Sequence, residues 1–113
     1  MSRSLTVDEI CQLLLALLSS GYPTIDKVAR LLHSSPRSLQ RRLRQEEITY
    51  TELVSRCRFK EAQRLLTESE DAVQDIAARL GYADPSSFGR AFLRWTGTSP
   101  RHYRRQQPGF HND

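Results

Sequence analysis

Two short stretches of this chain carry side chains with the donors and the reach to read base edges. Arg37, Gln40, Arg41 and Arg44 recur at intervals of three and four, so a helix would place all four on one face. Ser86, Ser87, Gly89, Arg90 and Arg94 form a second such face. An arginine fork can bond guanine O6 and N7 together, and a glutamine amide can do the same for adenine N6 and N7. That chemistry is hydrogen bonding in the major groove of duplex DNA. Arg41 and Arg90 are the two residues most suited to it.

Catalysis finds no comparable footing. His33, His102 and His111 have no ligand spacing with Cys, Asp or Glu, and no glycine-rich phosphate loop is present. With no nucleophile–base pair either, the chain reads as a non-enzyme without cofactor or metal. Cys11 and Cys57 lie beside apolar neighbours far apart in sequence. Both read as packed thiols, nothing in their spacing asks for a disulfide, and a reducing cytoplasm is the natural setting.

Reading faces need helices to carry them. Thr6-Val-Asp-Glu9 has the capping-box spacing and opens a helix whose Ile10, Leu13, Leu14, Leu17 and Leu18 share a face. Gly21 and Pro23 end it. Thr24 caps a second helix, to about His33, with Ile25, Val28, Ala29 and Leu32 inward. Ser35-Pro36 is an N-cap followed by a first-turn proline and opens a third, to about Gln45. Thr49 to Glu52 repeats the capping-box spacing before the longest helix, which runs to about Glu68. Asp71 is expected to cap a fifth helix ending at Gly81, Asp84-Pro85 starts a sixth ending at Gly97, and Ser99-Pro100 starts a short seventh. No strand pattern occurs.

The second and third helices recur as the fifth and sixth. Ile25, Val28, Ala29 and Leu32 match Val73, Ile76, Ala77 and Leu80; after one inserted residue, Pro36, Leu39, Arg41 and Leu43 match Pro85, Phe88, Arg90 and Phe92. This is an internal duplication of a helix-turn-helix unit at about 48 residues. Ala29 and Ala77 let the paired helices approach. Leu39 and Leu43 in one copy, and Phe88, Phe92 and Trp95 in the other, are core rather than stacking platforms. The fold class is therefore all-α: two helix-turn-helix subdomains, of about seven helices, joined by a long linker helix. The expected boundaries are 5–48 for the first subdomain, 49–69 for the linker, 70–107 for the second and 108–113 for a frayed tail. A linker of that length spans roughly 27–30 Å. Major-groove faces on one side of B-DNA repeat at roughly 34 Å, so one chain could engage two.

Charge follows the same division. The chain of 113 residues has a net charge of +4. Lys27 to Gln45 carries +6 and Pro85 to Asn112 carries +5, with no acid in either, around a central segment of −4. Two basic blocks, each on a helix-turn-helix segment, point to a polyanion. Phosphate-binding candidates are Arg44, Arg94, Arg101 and Arg105, with the helix N-termini at Thr24, Ser35 and Ser99. Asp84 opposes phosphate at its own helix start. Arg104 and Arg105 either touch phosphate or favour the last helix's dipole. Glu46-Glu47 and Glu68 to Asp71 read as solvated helix ends, with an acidic contact for polymerase as the other reading. The longest apolar run, Leu13 to Leu18, is six residues and too short to cross a bilayer.

At these residues the chain resembles the C-terminal DNA-binding domain of the AraC/XylS family of bacterial regulators. Three stretches carry the resemblance: Val28 to Leu43, Arg58 to Leu66 and, most specifically, Ile76 to Arg104, within a match covering about Leu5 to Gln106. It implies two subdomains with one reading helix each. Base contacts are implied at Arg37, Gln40 and Arg41, and at Ser86, Ser87 and Arg90. Gly89 stands where many members carry a side chain, which leaves the second reader fewer contacts. Most members also have an effector-binding or dimerisation domain before this region, and such a domain is expected to be missing from this chain. The expected function is sequence-specific binding of double-stranded DNA in successive major grooves, regulating transcription initiation by recruiting or blocking RNA polymerase, in the cytoplasm at the nucleoid, with no membrane partner. The alternative is a helical protein-interaction adaptor that kept the fold but not specific reading.

Overall fold

The computed structural model describes residues 6–107. Seven helices follow in order: α1 (Val7–Leu18), α2 (Ile25–Leu31), α3 (Pro36–Gln45), α4 (Tyr50–Glu68), α5 (Val73–Arg79), α6 (Pro85–Thr96) and α7 (Pro100–Arg105). The described residues contain no strand. The expected frayed tail lies outside them. Two compact units meet at Cys57 and Arg58, within α4.

In the first unit, α1 opens with the expected capping box. Thr6 Oγ1 accepts from the Glu9 N–H at 3.1 Å, and Glu9 reaches back to the Thr6 backbone. Ile10, Leu14 and Leu18 are fully buried against Val28, Ala29, Leu39, Leu43, Leu53 and Val54. Each such side chain contributes roughly 1.5–3 kcal/mol relative to leaving it exposed. The α2–α3 turn closes through His33, held at φ 57°, with the Ser34 N–H donating to Ala29 O at 2.8 Å. The α3–α4 turn uses Glu47 in the same left-handed region, at φ 55°. Thr49 and Glu52 then cap the start of α4 reciprocally, at 2.9 and 3.1 Å. From the first residue of α4, the Tyr50 hydroxyl donates to Pro23 O at 2.7 Å and so ties the start of α4 to the entry of α2. Burial, with the nearby Tyr22 second, pushes the Tyr50 pKa up to about 12.

The cysteines depart from expectation. Cys11 and Cys57 are joined as a disulfide, their Cα atoms 5.7 Å apart across 46 residues of chain. Cys11 lies on α1 and Cys57 on the buried face of α4, which share one core. That proximity is tertiary, and spacing alone does not encode it.

In the second unit, Ala62, Leu65 and Leu66 of α4 are buried, as are Ile76, Ala77 and Leu80 and, from α6, Phe88, Ala91 and Phe92. Phe92 is the hub of a ring cluster, 6.2 Å from Phe59 and 5.2 Å from Tyr103 between centroids. Trp95, half-buried, packs on Phe59 at 5.3 Å, so Phe88 and Phe92 are core, as their spacing predicts, and Trp95 packs at its edge. The α5–α6 turn mirrors the first copy: Gly81, at φ 85°, takes the place of His33, and the Tyr82 N–H donates to Ala77 O at 3.0 Å. Gly97 ends α6 at φ 80°, its N–H donating to Leu93 O at 2.8 Å.

Asp71 does not cap α5. That helix starts one residue later than a cap at Asp71 requires, behind Ala72, which offers no side-chain acceptor. The Asp71 carboxylate lies 3.7 Å from Arg79 instead, and its backbone carbonyl accepts from Arg104 at 2.6 Å.

Candidate nucleic-acid interface

The reading helices are fixed from beneath. On α3, Leu39 and Leu43 are 1% exposed. Their burial turns Arg37, Gln40, Arg41 and Arg44 outward, and all four are exposed. None of the four enters a hydrogen bond or ion pair with another described residue. Four long polar side chains on one helix face thus keep their donors for an external acceptor. Arg42, on the flank, differs: its guanidinium lies 3.4 Å from Glu46 and from Gln45.

On α6, burial of Phe88, Ala91 and Phe92 turns Ser86, Arg90 and Arg94 outward, with Ser87 and Gly89 half-buried. Asp84 caps the helix, accepting from the Ser87 N–H at 2.7 Å. That backbone bond, then Ser87's side chain, holds the Asp84 carboxyl below its usual range. A fixed negative charge therefore sits at this helix start and disfavours phosphate there. Arg90 lies 3.3 Å from Ser87 Oγ, which orients its guanidinium along the exposed face.

Three expected phosphate sites at helix N-termini have their hydroxyls engaged. Thr24 accepts from the Lys27 N–H at 3.2 Å, Ser35 from the Ser38 N–H at 3.1 Å and Ser99 from the His102 N–H at 3.1 Å. Ser35 Oγ also lies 3.0 Å from Ser38 Oγ. Proline follows both Ser35 and Ser99 and supplies no N–H. The N–H groups of Arg37 and Arg101 remain uncommitted to these caps. Arg44, Arg94, Arg101 and Arg105 are exposed.

Two arginines have a task that the sequence pattern did not single out. Arg58 Nε donates to Leu80 O at 3.0 Å, Nη2 reaches Gly81 O at 3.4 Å, and the guanidinium stacks 4.3 Å over the Tyr82 ring. It terminates α5 and holds the turn that leads to α6. Arg104 donates to the carbonyls of Leu65, Leu66, Ser69 and Asp71, at 2.6 to 3.2 Å. It caps the end of α4 rather than its own helix, and faces inward. Leu93, left out of the expected reading face, is 52% exposed on it.

A sequence profile described as a helix-turn-helix domain, of the AraC type, matches residues 28–106. The chain belongs to that family. It is a DNA-binding helix-turn-helix domain of the transcription-regulator class. It is 40% identical over 83 residues to an ornithine utilization regulator of Pseudomonas aeruginosa, a match covering 74% of this chain and 24% of that protein. In three dimensions it is similar to the C-terminal domain of AraT, a response regulator from Geobacillus stearothermophilus, with TM-score 0.75, 33% identity and coverage of 99% and 95% of the two chains. It is also similar to the DNA-binding domain of AdpA, a global transcriptional factor solved with a target DNA, with TM-score 0.70, 28% identity and coverage of 89% and 91%. The chain spans about a quarter of the length of the curated relatives it matches, 24% and 29% for two of them. Among the described residues no helix is long and apolar enough to cross a membrane.

Proposed function

We propose that α3 and α6 each enter a major groove of duplex DNA, with Arg37, Gln40 and Arg41 reading bases in one and Ser86, Ser87 and Arg90 in the other. One observation carries this reading most: the outward face of α3 holds three arginines and a glutamine with no partner among the described residues, on a helix locked from beneath by Leu39 and Leu43. Arg44, Arg94, Arg101 and Arg105 grip phosphate, with the helix starts at Thr24, Ser35 and Ser99 lending N–H groups. The AdpA domain, solved on a target DNA, supports a duplex as the ligand. Family membership is the support for the rest: RNA polymerase as the machinery acted upon, altered initiation as the outcome, a cytoplasmic setting at the nucleoid, and an effector or dimerisation domain as the usual companion. Nothing in the chain calls for a catalytic role.

The test is selection from random duplex DNA, with the affinities of the winners followed against salt. Two short motifs about 10 base pairs apart, bound well above random duplex, support two reading units. One motif beside a featureless neighbour would confine reading to α3. No enrichment, with binding lost at modest salt, would overturn specific reading by this chain.

A further inference from the structure

Because the unit is duplicated, its two reading faces can be compared position by position. Arg37, Gln40, Arg41 and Arg44 on α3 correspond to Ser86, Gly89, Arg90 and Leu93 on α6. Both sets follow the i, i+3, i+4, i+7 spacing with which a helix lying in the major groove presents side chains to base edges. The α3 set is polar throughout. On α6, only Arg90 keeps a long polar side chain. Leu93 is 52% exposed although the adjacent Phe92 is fully buried, so its place on the outer face is fixed by the helix and not by a shortage of core. A Cβ built on Gly89, one turn earlier, meets nothing of the protein within 4 Å.

An apolar side chain on a groove-facing stripe has one base-specific partner there, the 5-methyl group of thymine. We propose that Leu93 is a specificity-determining residue that selects thymine in the half-site under α6, and that the bare Gly89 lets the α6 backbone approach closely enough for that contact. The inference rests on α6 being a DNA reader. It assigns the two half-sites different chemistries: hydrogen-bonding base edges under α3, and a thymine methyl beside the base or phosphate held by Arg90 under α6. A lone exposed leucine is ordinary on protein surfaces; its register with Arg90 and Gly89 on the reading stripe gives this one its role.

Deoxyuridine differs from thymidine only by the missing methyl, and so isolates the contact. The probes are the duplex chosen by selection and its variants with single thymines of the α6 half-site replaced by deoxyuridine. One replacement should weaken binding about fourfold, the worth of one buried methyl. With Leu93→Ala that penalty should vanish, while with Arg90→Ala it should persist. Gly89→Ala adds a methyl that the protein accommodates in a helix that alanine favours, so unfolding should move to slightly higher denaturant while affinity falls about tenfold. A thymine penalty that survives Leu93→Ala, or specific binding with no deoxyuridine effect in that half-site, overturns the proposal and leaves α6 as a reader by other contacts. If Arg90→Ala and Leu93→Ala both leave the selected site bound as tightly as before, the α6 reading fails with it, and that outcome is distinct from the first two.

Discussion

Replacing Arg104 separates two roles that an arginine near a helix end can have. In Arg104→Ala four carbonyl acceptors lose a charged donor. Leu65 O retains the Ser69 N–H at 3.1 Å and the Ser69 hydroxyl at 2.7 Å. Asp71 is exposed, so water can replace the arginine there. The uncompensated losses are the carbonyls of Leu66 and Ser69, in a part-buried setting. Hydrogen bonds to charged groups are worth about 1.5–3 kcal/mol each, and residual water access trims the total to about 2–4 kcal/mol. Arg104→Lys should recover only part of this, because an ammonium is a compact donor and cannot span four carbonyls as the guanidinium does. Urea unfolding reads the loss, and the salt dependence of DNA binding by the folded variant reads the alternative. A phosphate contact removed would flatten the slope of log affinity against log salt by about 0.9. A variant with near-normal stability and a slope reduced by that amount would refute the capping role.

Four further outcomes follow from the same structure. Arg41→Ala should cost about 1–3 kcal/mol on the selected site and relax preference at one base pair, whereas Arg44→Ala should weaken all sequences alike; binding to base-substituted duplexes distinguishes them. His33→Gly and Glu47→Gly should each raise stability by up to about 1 kcal/mol, since both residues sit at positive φ and glycine is unstrained there; a midpoint shifted downward in urea would count against it. Reducing the Cys11–Cys57 bond releases a loop of 46 residues, for which loop-closure entropy gives about 4 kcal/mol. Thermal unfolding with and without dithiothreitol, with Cys57→Ser as control, measures it. Glu52 has its carboxyl held below the usual value, first by the Thr49 backbone N–H. A depressed pKa gives stability that is full above the unfolded value of about 4.3 and is lost as pH falls through the folded one. Glu52→Gln should therefore flatten the acid side of the stability curve, as pH-dependent unfolding would show.

Local signals were the most legible part of the sequence. The capping boxes at Thr6 and Thr49, the Ser-Pro and Asp-Pro helix starts and the apolar faces all act over three or four residues, so the sequence states them directly. The duplication was legible for the same reason, since each copy repeats its own period. At the site, the outward turn of Arg37, Gln40, Arg41 and Arg90 followed from the burial of their apolar neighbours. What the sequence concealed was long-range partnership. Cys11 meets Cys57 only because α1 and α4 share a core, and Arg58 and Arg104 find carbonyls more than twenty residues away. Asp71 failed as a cap through a shift of one residue, which helix-start patterns do not resolve. Leu93 was passed over because an apolar residue on a helix is taken for core until its angle is fixed by Phe92 beside it.

The two basic blocks each give up one cation to the protein's own contacts, and they differ in where those contacts are made. Of the six cations in the first, Arg42 is engaged with Glu46 and Gln45. Of the five in the second, Arg104 is turned inward on the end of α4. Arg58, in the acidic segment between the blocks, is likewise spent on the end of α5. The second unit thus uses arginine as mortar for its own helix ends. The first unit closes with a tyrosine hydroxyl and a disulfide, and keeps Arg37, Arg41 and Arg44 outward. Nine cations remain available across both blocks, which sets a ceiling of about eight on the salt slope of duplex binding, at 0.9 per phosphate neutralised. Substitutions on α3, where Arg37, Arg41 and Arg44 are exposed, should accordingly remove more of that slope than substitutions on α6, where Arg90 and Arg94 are. Equal slope losses from the two helices would mean that the duplicated units grip DNA alike, and that the contrast between their faces does not govern binding.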